Sequence, residues 1–399
     1  MSKYVGLYME KDKSELYTKN NTCDYLLNRS LTAKIVENGV VLPSKAELES
    51  TEKEKKLWSI GGVIDNQGDF VVESELGKLW GGKYEYDEDN IDTINEEVLF
   101  LGPFIAHWGH FICDEISRLW YYVQNPGNYK IVYCSWLFGQ DISDWKIYGN
   151  FLELINLIGI KESQLINIVK PTRFRKIIIP EPSFISRKYY TQEYKQMIDV
   201  IVSNINGKGI SKLDKVYFTR QNFSEAQNKE YGENEIVDFF KANGYTVLAP
   251  EELSVREQIF YFQNCSSIAM ISGTISHNLI FASEGLKVTI LNKISIDNAY
   301  QIIVDHIAQA QITYIDAYYK GFPVLFGAGP FWIGVNKNMK NWALDNNLVL
   351  VKSRHVKMSG VVWYLKKYKQ IYWDNKQMRY WLKSQQKSLK ALRKQMKAI

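Results

Sequence analysis

The stretch Ser267-Ile-Ala-Met-Ile-Ser-Gly-Thr-Ile-Ser-His-Asn278 joins an apolar run of strand length to a glycine turn and to the first residues of a helix. Between residues 215 and 315 the same order, a short apolar run followed by a helical segment, recurs several times. Such alternation predicts an α/β fold with a parallel sheet and helices on its faces. Ligands of these sheets bind at the carboxyl ends of the strands, so the turn that follows Ile271 is a candidate binding site.

Capping signals and apolar runs define the predicted elements of this region. Ser254-Val-Arg-Glu257 is a capping box, which marks the start of one helix, and Gly244 ends another. We predict strands at 216–219, 245–248, 267–271, 287–291 and 312–315, and helices at 233–243, 254–264, 276–283 and 299–309.

The N-terminal half is richer in strand patterns. Residues 4–9 are a candidate strand, and residues 62–72 predict a hairpin that turns at 65–68. Further strands are predicted at 129–134 and 176–180, with a helix at 147–158, which indicates a second α/β unit with a β-rich start. A polar connection at 206–211 is the best candidate linker between the two units.

Length and composition indicate a globular protein of two domains. At 399 residues, with 46% hydrophobic and 23% charged residues, the chain exceeds what one hydrophobic core usually serves. We predict a first domain at 1–208, a second domain at 209–335 and a helical C-terminal extension at 336–399.

The cysteines and the N-terminus indicate an intracellular location. Four cysteines, Cys23, Cys113, Cys134 and Cys265, lack the short paired spacing of zinc sites or disulfide frameworks, so reduced thiols are expected. The N-terminus has no basic, apolar and small-residue signal, and no run reaches the roughly 18 apolar residues of a membrane span. We therefore expect a cytoplasmic protein.

The positive charge of the chain is concentrated at its C-terminus. Residues 352–399 contain 14 Lys or Arg and one acid, Asp374, which leaves 35 basic and 43 acidic residues elsewhere. From Met378 to Met396 apolar residues recur at helical spacing among lysines and arginines. An anionic membrane surface is the leading predicted partner of this helix, docking on the protein is the alternative, and nucleic acid ranks last and is not a predicted partner.

The segment His107-Trp-Gly-His-Phe-Ile-Cys-Asp-Glu-Ile-Ser-Arg-Leu-Trp120 places ionisable residues within a pattern typical of a buried helix. His110, Asp114 and Arg118 are spaced four residues apart, so on an α-helix they share one face and converge on one ligand. An aspartate beside a histidine in partly apolar surroundings is suited to accept a proton. The alternative interpretation is an interior histidine with a helix salt bridge.

A candidate anion site follows from the strand ends. Arg220 comes directly after one predicted strand, and the turn from Ser272 to Asn278 follows another, where backbone N–H groups at a helix start favour an anion. The turn matches neither the dinucleotide fingerprint nor a P-loop. The alternative interpretation is a helix cap, with His277 packed in the interior.

In their order and spacing, these segments resemble glycosyltransferase family 61, a group that includes bacterial capsular polysaccharide transferases and eukaryotic xylosyl- and N-acetylglucosaminyltransferases. The resemblance extends over about residues 60–295. It rests on the His-x-x-x-Asp helix with Arg118, Val216-Tyr-Phe-Thr-Arg220, Gly244-Tyr-Thr-Val-Leu-Ala-Pro-Glu-Glu-Leu-Ser254, Glu257-Gln-Ile259 and Gly273-Thr-Ile-Ser-His-Asn-Leu-Ile-Phe281.

The resemblance implies a GT-B architecture, in which two Rossmann-like domains face a central cleft. It implies an inverting, metal-independent transferase whose second domain holds the nucleotide-sugar donor and whose first domain holds the acceptor. Asp114 is the predicted base, Glu115 is the alternative base, and His110 orients the base or the substrate. The predicted donor-binding residues are Arg118, Arg220, Glu257, Ser272, Gly273, Thr274, His277 and Asn278. We also expect residues 361–372 to cross back to the first domain.

No metal or other cofactor is predicted besides the nucleotide-sugar co-substrate, for which a UDP-sugar is the leading candidate. Asp87-Glu-Asp89 has the spacing of a metal-binding pair. However, more acids follow it, and it lacks the apolar strand that normally carries such a pair, so we predict a solvated loop. We therefore predict a transferase at the cytoplasmic face that extends a lipid-linked or capsular glycan. The alternatives are a non-catalytic glycan-assembly or carbohydrate-binding protein and another GT-B enzyme, such as a sugar-nucleotide epimerase.

Overall fold

The computed structural model describes residues 4–45, 56, 59–136, 141, 142, 144–296, 298–325, 327–351, 357–376, 378–380 and 383. These residues form a mixed α/β fold with two large sheets, which we call the parallel sheet and the mixed sheet. Each sheet packs with its own helices, and the two resulting units meet along one side.

The parallel sheet confirms the alternation read from the sequence. Its six strands all run parallel to their neighbours. In spatial order they are Tyr4–Tyr8, Gln311–Asp316, Lys287–Asn292, Ser267–Ile271, Lys215–Phe218 and Thr246–Leu248.

The first strand of the chain departs from the predicted division at residue 208. Tyr4–Tyr8 is a strand, as predicted, but it pairs with Gln311–Asp316 at the edge of the parallel sheet and not with the N-terminal strands. The Tyr4 hydroxyl donates to Asp305 of that unit at 3.0 Å, and its ring lies 5.7 Å from the Tyr314 ring. Because this pairing joins residues more than 300 positions apart, no local pattern predicts it. The other predicted domain boundaries stay predictions.

Three helices of this unit lie near the predicted positions, namely Glu233–Ala242, Val255–Asn264 and Ala299–Ile307. Ser224–Lys229 was not predicted, and Lys337–Asp345 lies within the predicted helical extension. The capping box is confirmed, because Ser254 Oγ accepts from the Glu257 N–H and Glu257 Oε2 accepts from the Ser254 N–H. The segment predicted as a helix at 276–283 is a 3-10 helix, Thr274–Phe281, which is buried from Ile275 onward. Its residues Thr, Ile, Ser, His and Asn are weak α-helix formers.

The mixed sheet belongs to the N-terminal half. In spatial order its strands are Phe70–Val71, Ile60–Ile64, Val40–Lys45, Thr172–Pro180, Asp92–Phe104, Lys130–Ser135 and Leu165–Asn167, and Ala33–Glu37 also pairs with Thr172–Pro180. The predicted hairpin is confirmed by the antiparallel pairing of Ile64 with Phe70. The helices Trp145–Ile158 and Gln192–Ser203 belong to this half. Lys11–Thr22 packs on the parallel sheet instead, where Lys13 pairs with Asp316 and the Tyr17 ring lies 4.8 Å from the Tyr314 ring.

A continuous hydrophobic cluster joins the two units, and hydrogen bonds between them fix their relative position. Residues as far apart as Leu99 and Ile290 belong to this one cluster. Glu153 of the helix Trp145–Ile158 accepts hydrogen bonds from the Val255 N–H at 2.8 Å and the Arg256 N–H at 3.2 Å, so one unit caps a helix of the other.

The C-terminal helix, Lys357–Tyr368, continues as a π-helical turn, Lys369–Trp373, and docks on the unit of the parallel sheet. Its Tyr364, Tyr368 and Tyr372 hydroxyls donate to the backbone oxygens of Phe322, Pro323 and Gly329. The expectation that residues 361–372 cross back to the first domain is therefore wrong. No described helix is long and apolar enough to span a membrane. Most of the predicted basic helix, at 384–399, lies outside the described residues.

The two units approach each other closely at Gly109. A Cβ atom at Gly109 would lie 2.7 Å from His277 Nδ1 of the other unit, whereas a Cβ at Gly149 meets nothing within 4 Å. Gly109→Ala is therefore expected to lower the free energy of unfolding by about 1–3 kcal/mol. Gly149→Ala, within a helix, is expected to raise it by up to about 1 kcal/mol. Chemical denaturation of both variants checks this contrast, and equal effects would show that the approach is not tight.

Candidate active site

A cavity of about 730 Å³ lies where the two units meet. The parallel sheet contributes the carboxyl ends of three strands, namely Arg220, the turn Ser272–His277 and Lys293. The other unit contributes residues 106–110 and Phe151. The predicted strand-end residues therefore line this cavity together with a segment of the opposite unit.

Two side chains, one from each unit, meet at the Asp114 carboxylate. His110 Nδ1 lies 2.8 Å from Asp114 Oδ2, and the Tyr300 hydroxyl donates to the same oxygen at 2.8 Å. Burial and the Asp114 carboxylate raise the pKa of Tyr300, so this hydroxyl stays protonated and donates. His110 lines the cavity, while Asp114 is only 7% exposed behind it. The predicted pairing of His110 with Asp114 is present, and sequence reasoning missed Tyr300.

The helix that holds these residues is irregular. A short α-helical turn, Trp108–His110, is followed by a π-helical turn, Phe111–Glu115, and a 3-10 turn, Ile116–Arg118. A π-helical turn adds residues per turn and a 3-10 turn removes them. His110 and Asp114 still meet, but Arg118 no longer follows them on the same face.

Arg118 is consequently buried away from the cavity. It donates to the Pro180 oxygen and to the Glu75 oxygen, both at 2.8 Å, and it is 2% exposed. Burial lowers its pKa to about 10, so the guanidinium remains charged at neutral pH. The structure therefore corrects the prediction that Arg118 binds the donor: this side chain holds two backbone segments of the first unit together.

Glu115, the alternative base, also lies outside the cavity. It is 1% exposed, Oε1 accepts from the Ile105 N–H at 3.2 Å, and Oε2 has no hydrogen-bond partner among the described residues. Burial raises its pKa well above the usual value. A neutral acid in the core does not reach an acceptor, so the structure does not support Glu115 as a base.

A charged cluster forms the far wall of the cavity. Glu230 pairs with Arg220 at 3.1 Å and with Lys293 at 2.6 Å. Burial alone would raise the pKa of Glu230, but the two cations outweigh it and hold the pKa below its usual value. With two cations around one carboxylate, the cluster has a net positive charge and is suited to an anion. Arg220 was among the predicted residues. Lys293 was missed, although it follows a strand as Arg220 does. Glu230 has no local sequence signal.

The turn after Ile271 borders this cluster. A Cβ at Gly273 would lie 3.0 Å from an Arg220 side-chain nitrogen, so glycine permits the close approach. Ser272 Oγ accepts from the Lys293 N–H at 3.3 Å, and Thr274 lines the cavity. The structure thus brings Ser272, Gly273 and Thr274 together with both cations, as the predicted anion site requires.

His277 is neutral, and its tautomer follows from its neighbour. Asn298 Oδ1 accepts from the Tyr300 N–H, so Asn298 Nδ2 faces His277 Nε2 at 3.1 Å and donates to it. Burial, reinforced by His107 and His110, lowers the pKa of His277 to about 3. The ring proton is therefore on Nδ1, which has no hydrogen-bond partner among the described residues.

Two predicted donor-binding residues have structural roles instead. Asn278 is buried; it accepts from Trp108 Nε1 at 2.7 Å and donates to Gln258 Oε1 at 2.9 Å, so it joins the two units. Glu257 is the exposed partner of the capping box and does not line the cavity. Gln258, the next residue on the helix, does line it.

The acidic segment at 87–89 stands apart from the site. Asp87 caps a 3-10 turn by accepting from the Asp89 N–H, and its neighbours are exposed, which agrees with the prediction of a solvated loop. Within the described ranges, no cluster of three or more His, Cys, Asp or Glu side chains has the arrangement to hold a metal ion.

The raised pKa of Glu115 predicts that the free energy of unfolding depends on pH. Because its pKa is raised on folding, its stabilising contribution is fully present below the unfolded pKa of about 4.3 and is lost as the pH rises toward the folded pKa. We expect Glu115→Gln to be more stable than the wild type at pH 8, with the difference smaller by more than about 1 kcal/mol at pH 4. Urea denaturation at both pH values measures this; a difference that does not change with pH would place the charged form of Glu115 in the folded protein.

The comparisons with known proteins agree with this geometry. The family model described as Glycosyltransferase 61 matches residues 108–289, a segment that includes the His110–Asp114 pair, Arg220 and the turn at Gly273. No curated protein matches the chain significantly. The resemblance predicted from the sequence is confirmed: over this segment the chain is similar to glycosyltransferase family 61.

Proposed function

We propose that this chain is an inverting glycosyltransferase that transfers a sugar from a nucleotide-sugar, with a UDP-sugar as the leading donor, in the cavity between its two units. The match to the family model over residues 108–289 supports glycosyltransferase activity. The observation on which the mechanism depends is the Asp114 carboxylate, which is bonded to His110 at the cavity wall and to Tyr300 of the opposite unit.

The donor diphosphate is proposed to lie against Arg220, Lys293 and the turn at Gly273. These groups provide two cations and a helix start at the carboxyl edge of a parallel sheet. As the bond between the anomeric carbon and the diphosphate oxygen breaks, negative charge develops on the leaving group. Preorganised cations stabilise that charge, and no metal is required in this proposal.

The proton of the acceptor hydroxyl is proposed to go to His110. The Asp114 carboxylate accepts the Nδ1–H of His110 in this proposal, which leaves the lone pair on Nε2. As the acceptor oxygen bonds to the anomeric carbon, its proton moves to Nε2, and Asp114 stabilises the imidazolium ion that forms. Direct displacement of this kind inverts the anomeric configuration.

This assignment exchanges the roles predicted for His110 and Asp114. Asp114 Oδ2 already accepts two hydrogen bonds and the carboxylate is 7% exposed, whereas His110 lines the cavity. The partly exposed ring is better placed to meet an acceptor, and the buried carboxylate is better placed to orient the ring. Asp114 is thus proposed as the positioning residue and His110 as the base.

The wider setting is proposed from the family and from the fold. The two units, which meet at the cavity, are consistent with a GT-B arrangement, with the donor on the parallel-sheet unit and the acceptor on the other. A lipid-linked or capsular glycan at the cytoplasmic face is the proposed acceptor. Its sugar and linkage depend on pocket shape.

The dyad is tested by nucleotide release from a panel of UDP-, GDP- and CMP-sugars, with and without added glycan acceptors. His110→Ala and Asp114→Asn are expected to lower kcat by about 10²–10⁴-fold, because each removes the general base or its orientation. Donor affinity, measured by calorimetry, is expected to change little, since neither side chain contacts the diphosphate in this proposal.

Asp238→Asn is the matched control, because Asp238 is exposed on a helix away from the cavity, and its kcat is expected to equal the wild-type value. If both dyad variants keep kcat within about threefold of the wild type, the proton-transfer assignment is wrong. If the wild type binds a nucleotide and releases none from any donor, a non-catalytic glycan-assembly protein becomes the better account.

A further inference from the structure

The C-terminal helix Lys357–Tyr368, with its continuation to Trp373, has two unlike faces. One face docks on the protein: Tyr364, Tyr368 and Tyr372 stack on one another and donate to backbone oxygens of the segment 322–329. On the same side, the Trp363 ring stacks on Tyr231 at 5.3 Å. These contacts fix the orientation of the helix, and therefore the side that it turns outward.

The outward face is apolar. Met358 is 75% exposed, Val362 59% and Leu365 48%, and their spacing of four and three residues places them on one side of the helix. Farther along the chain, Trp373 is 61% exposed and Tyr380 is 70% exposed. Among the described residues, nothing covers these side chains. We call the row formed by Met358, Val362 and Leu365 the outward stripe.

Cations surround the outward stripe. Lys366, Lys369, Lys376, Arg379 and Lys383 are exposed, and Asp374 is the one acid between residues 357 and 383. None of these five cations pairs with an acid in the part of the chain that the structure describes. An apolar row flanked by unpaired cations, with Trp and Tyr beside it, has the composition of a helix that lies in the interface of a membrane.

We propose that the outward stripe and its cations bind an anionic lipid surface, with the helix parallel to the membrane plane. The apolar side chains enter the headgroup region while the lysines and Arg379 meet lipid phosphates. A nucleic acid would use the cations but not the apolar row, so the lipid surface accounts for more of the structure. This surface differs from the tail after Met378 that the sequence indicated, because it includes the described residues 358–373.

The position of this helix relates the proposed membrane surface to the cavity. Tyr364 lines a second cavity of about 460 Å³, which shares Lys293 and Phe331 with the larger cavity. The helix proposed to lie on lipid therefore borders the space next to the candidate active site. Its lipid binding requires no substrate and does not depend on the catalytic proposal.

The test is co-sedimentation of the full-length protein with vesicles of phosphatidylcholine containing about 30 mol% phosphatidylglycerol, and with vesicles of phosphatidylcholine alone. The wild type is expected to bind the anionic vesicles and to lose binding at high salt. Val362→Ser with Leu365→Ser is expected to lower the partition coefficient by about tenfold, because two inserted apolar side chains are removed. Lys366→Glu with Lys369→Glu is expected to lower it by a similar factor.

Val72→Ser with Val169→Ser is the matched control, since both valines are more than 60% exposed on the other unit, and it is expected to bind as the wild type does. Thermal unfolding verifies that each variant is folded; if the serine pair does not fold, the lysine pair decides. The proposal is overturned if the wild type does not bind anionic vesicles or if the helix variants bind normally. It is also overturned if only Lys390→Glu with Lys394→Glu abolishes binding, a result that would assign the surface to the tail.

Discussion

The carboxylate of Asp114 connects the two units of this protein, because it accepts hydrogen bonds from His110 of its own helix and from Tyr300 of the opposite unit. Both bonds are 2.8 Å long and converge on one oxygen. A buried carboxylate is costly unless it is satisfied in this way. The position of His110 in the cavity therefore depends on the contact between the units, and that contact depends on the absence of a side chain at Gly109 and on the hydrogen bond from Trp108 to Asn278.

At the opposite wall of the cavity the buried charges are mainly positive, and a carboxylate compensates them. Arg220 and Lys293 are largely buried, and Glu230 compensates part of their charge while leaving an excess of one cation. A diphosphate that enters this wall would find cations already held in place. Binding would then need little rearrangement of charged side chains, which is the condition under which such groups stabilise a leaving group most effectively.

Local patterns predicted the parallel sheet, the capping box and the hairpin at Ile60–Ile64, because each depends on residues close together in the chain. The same patterns paired His110 with Asp114. They misplaced Arg118, because a π-helical and a 3-10 turn changed the face that it occupies. Glu257 and Gln258 are neighbours on one helix, yet Glu257 caps the helix and Gln258 lines the cavity. A prediction of binding residues must therefore be correct to a single position.

Other features depend on contacts between distant parts of the chain, which no single segment encodes. Tyr4–Tyr8 joins a sheet formed by residues more than 200 positions away, and Tyr300 meets Asp114 across 186 positions. The strand-end rule could have predicted Lys293, because it directly follows a strand. Glu230 has no such signal, because only the folded structure brings it to the two cations. The sequence is therefore informative about elements and their order, and less so about which buried charges face one another.

The most direct measurement of the central claim is thermal unfolding of the purified protein with UDP, GDP, CMP or NAD, each with and without EDTA. A ligand at 100 times its Kd adds about 2.7 kcal/mol to the free energy of unfolding. UDP is expected to raise Tm, EDTA is expected to leave this increase in place, and NAD is expected to have no effect. An unchanged Tm with every nucleotide would contradict the claim that this cavity holds a nucleotide-sugar.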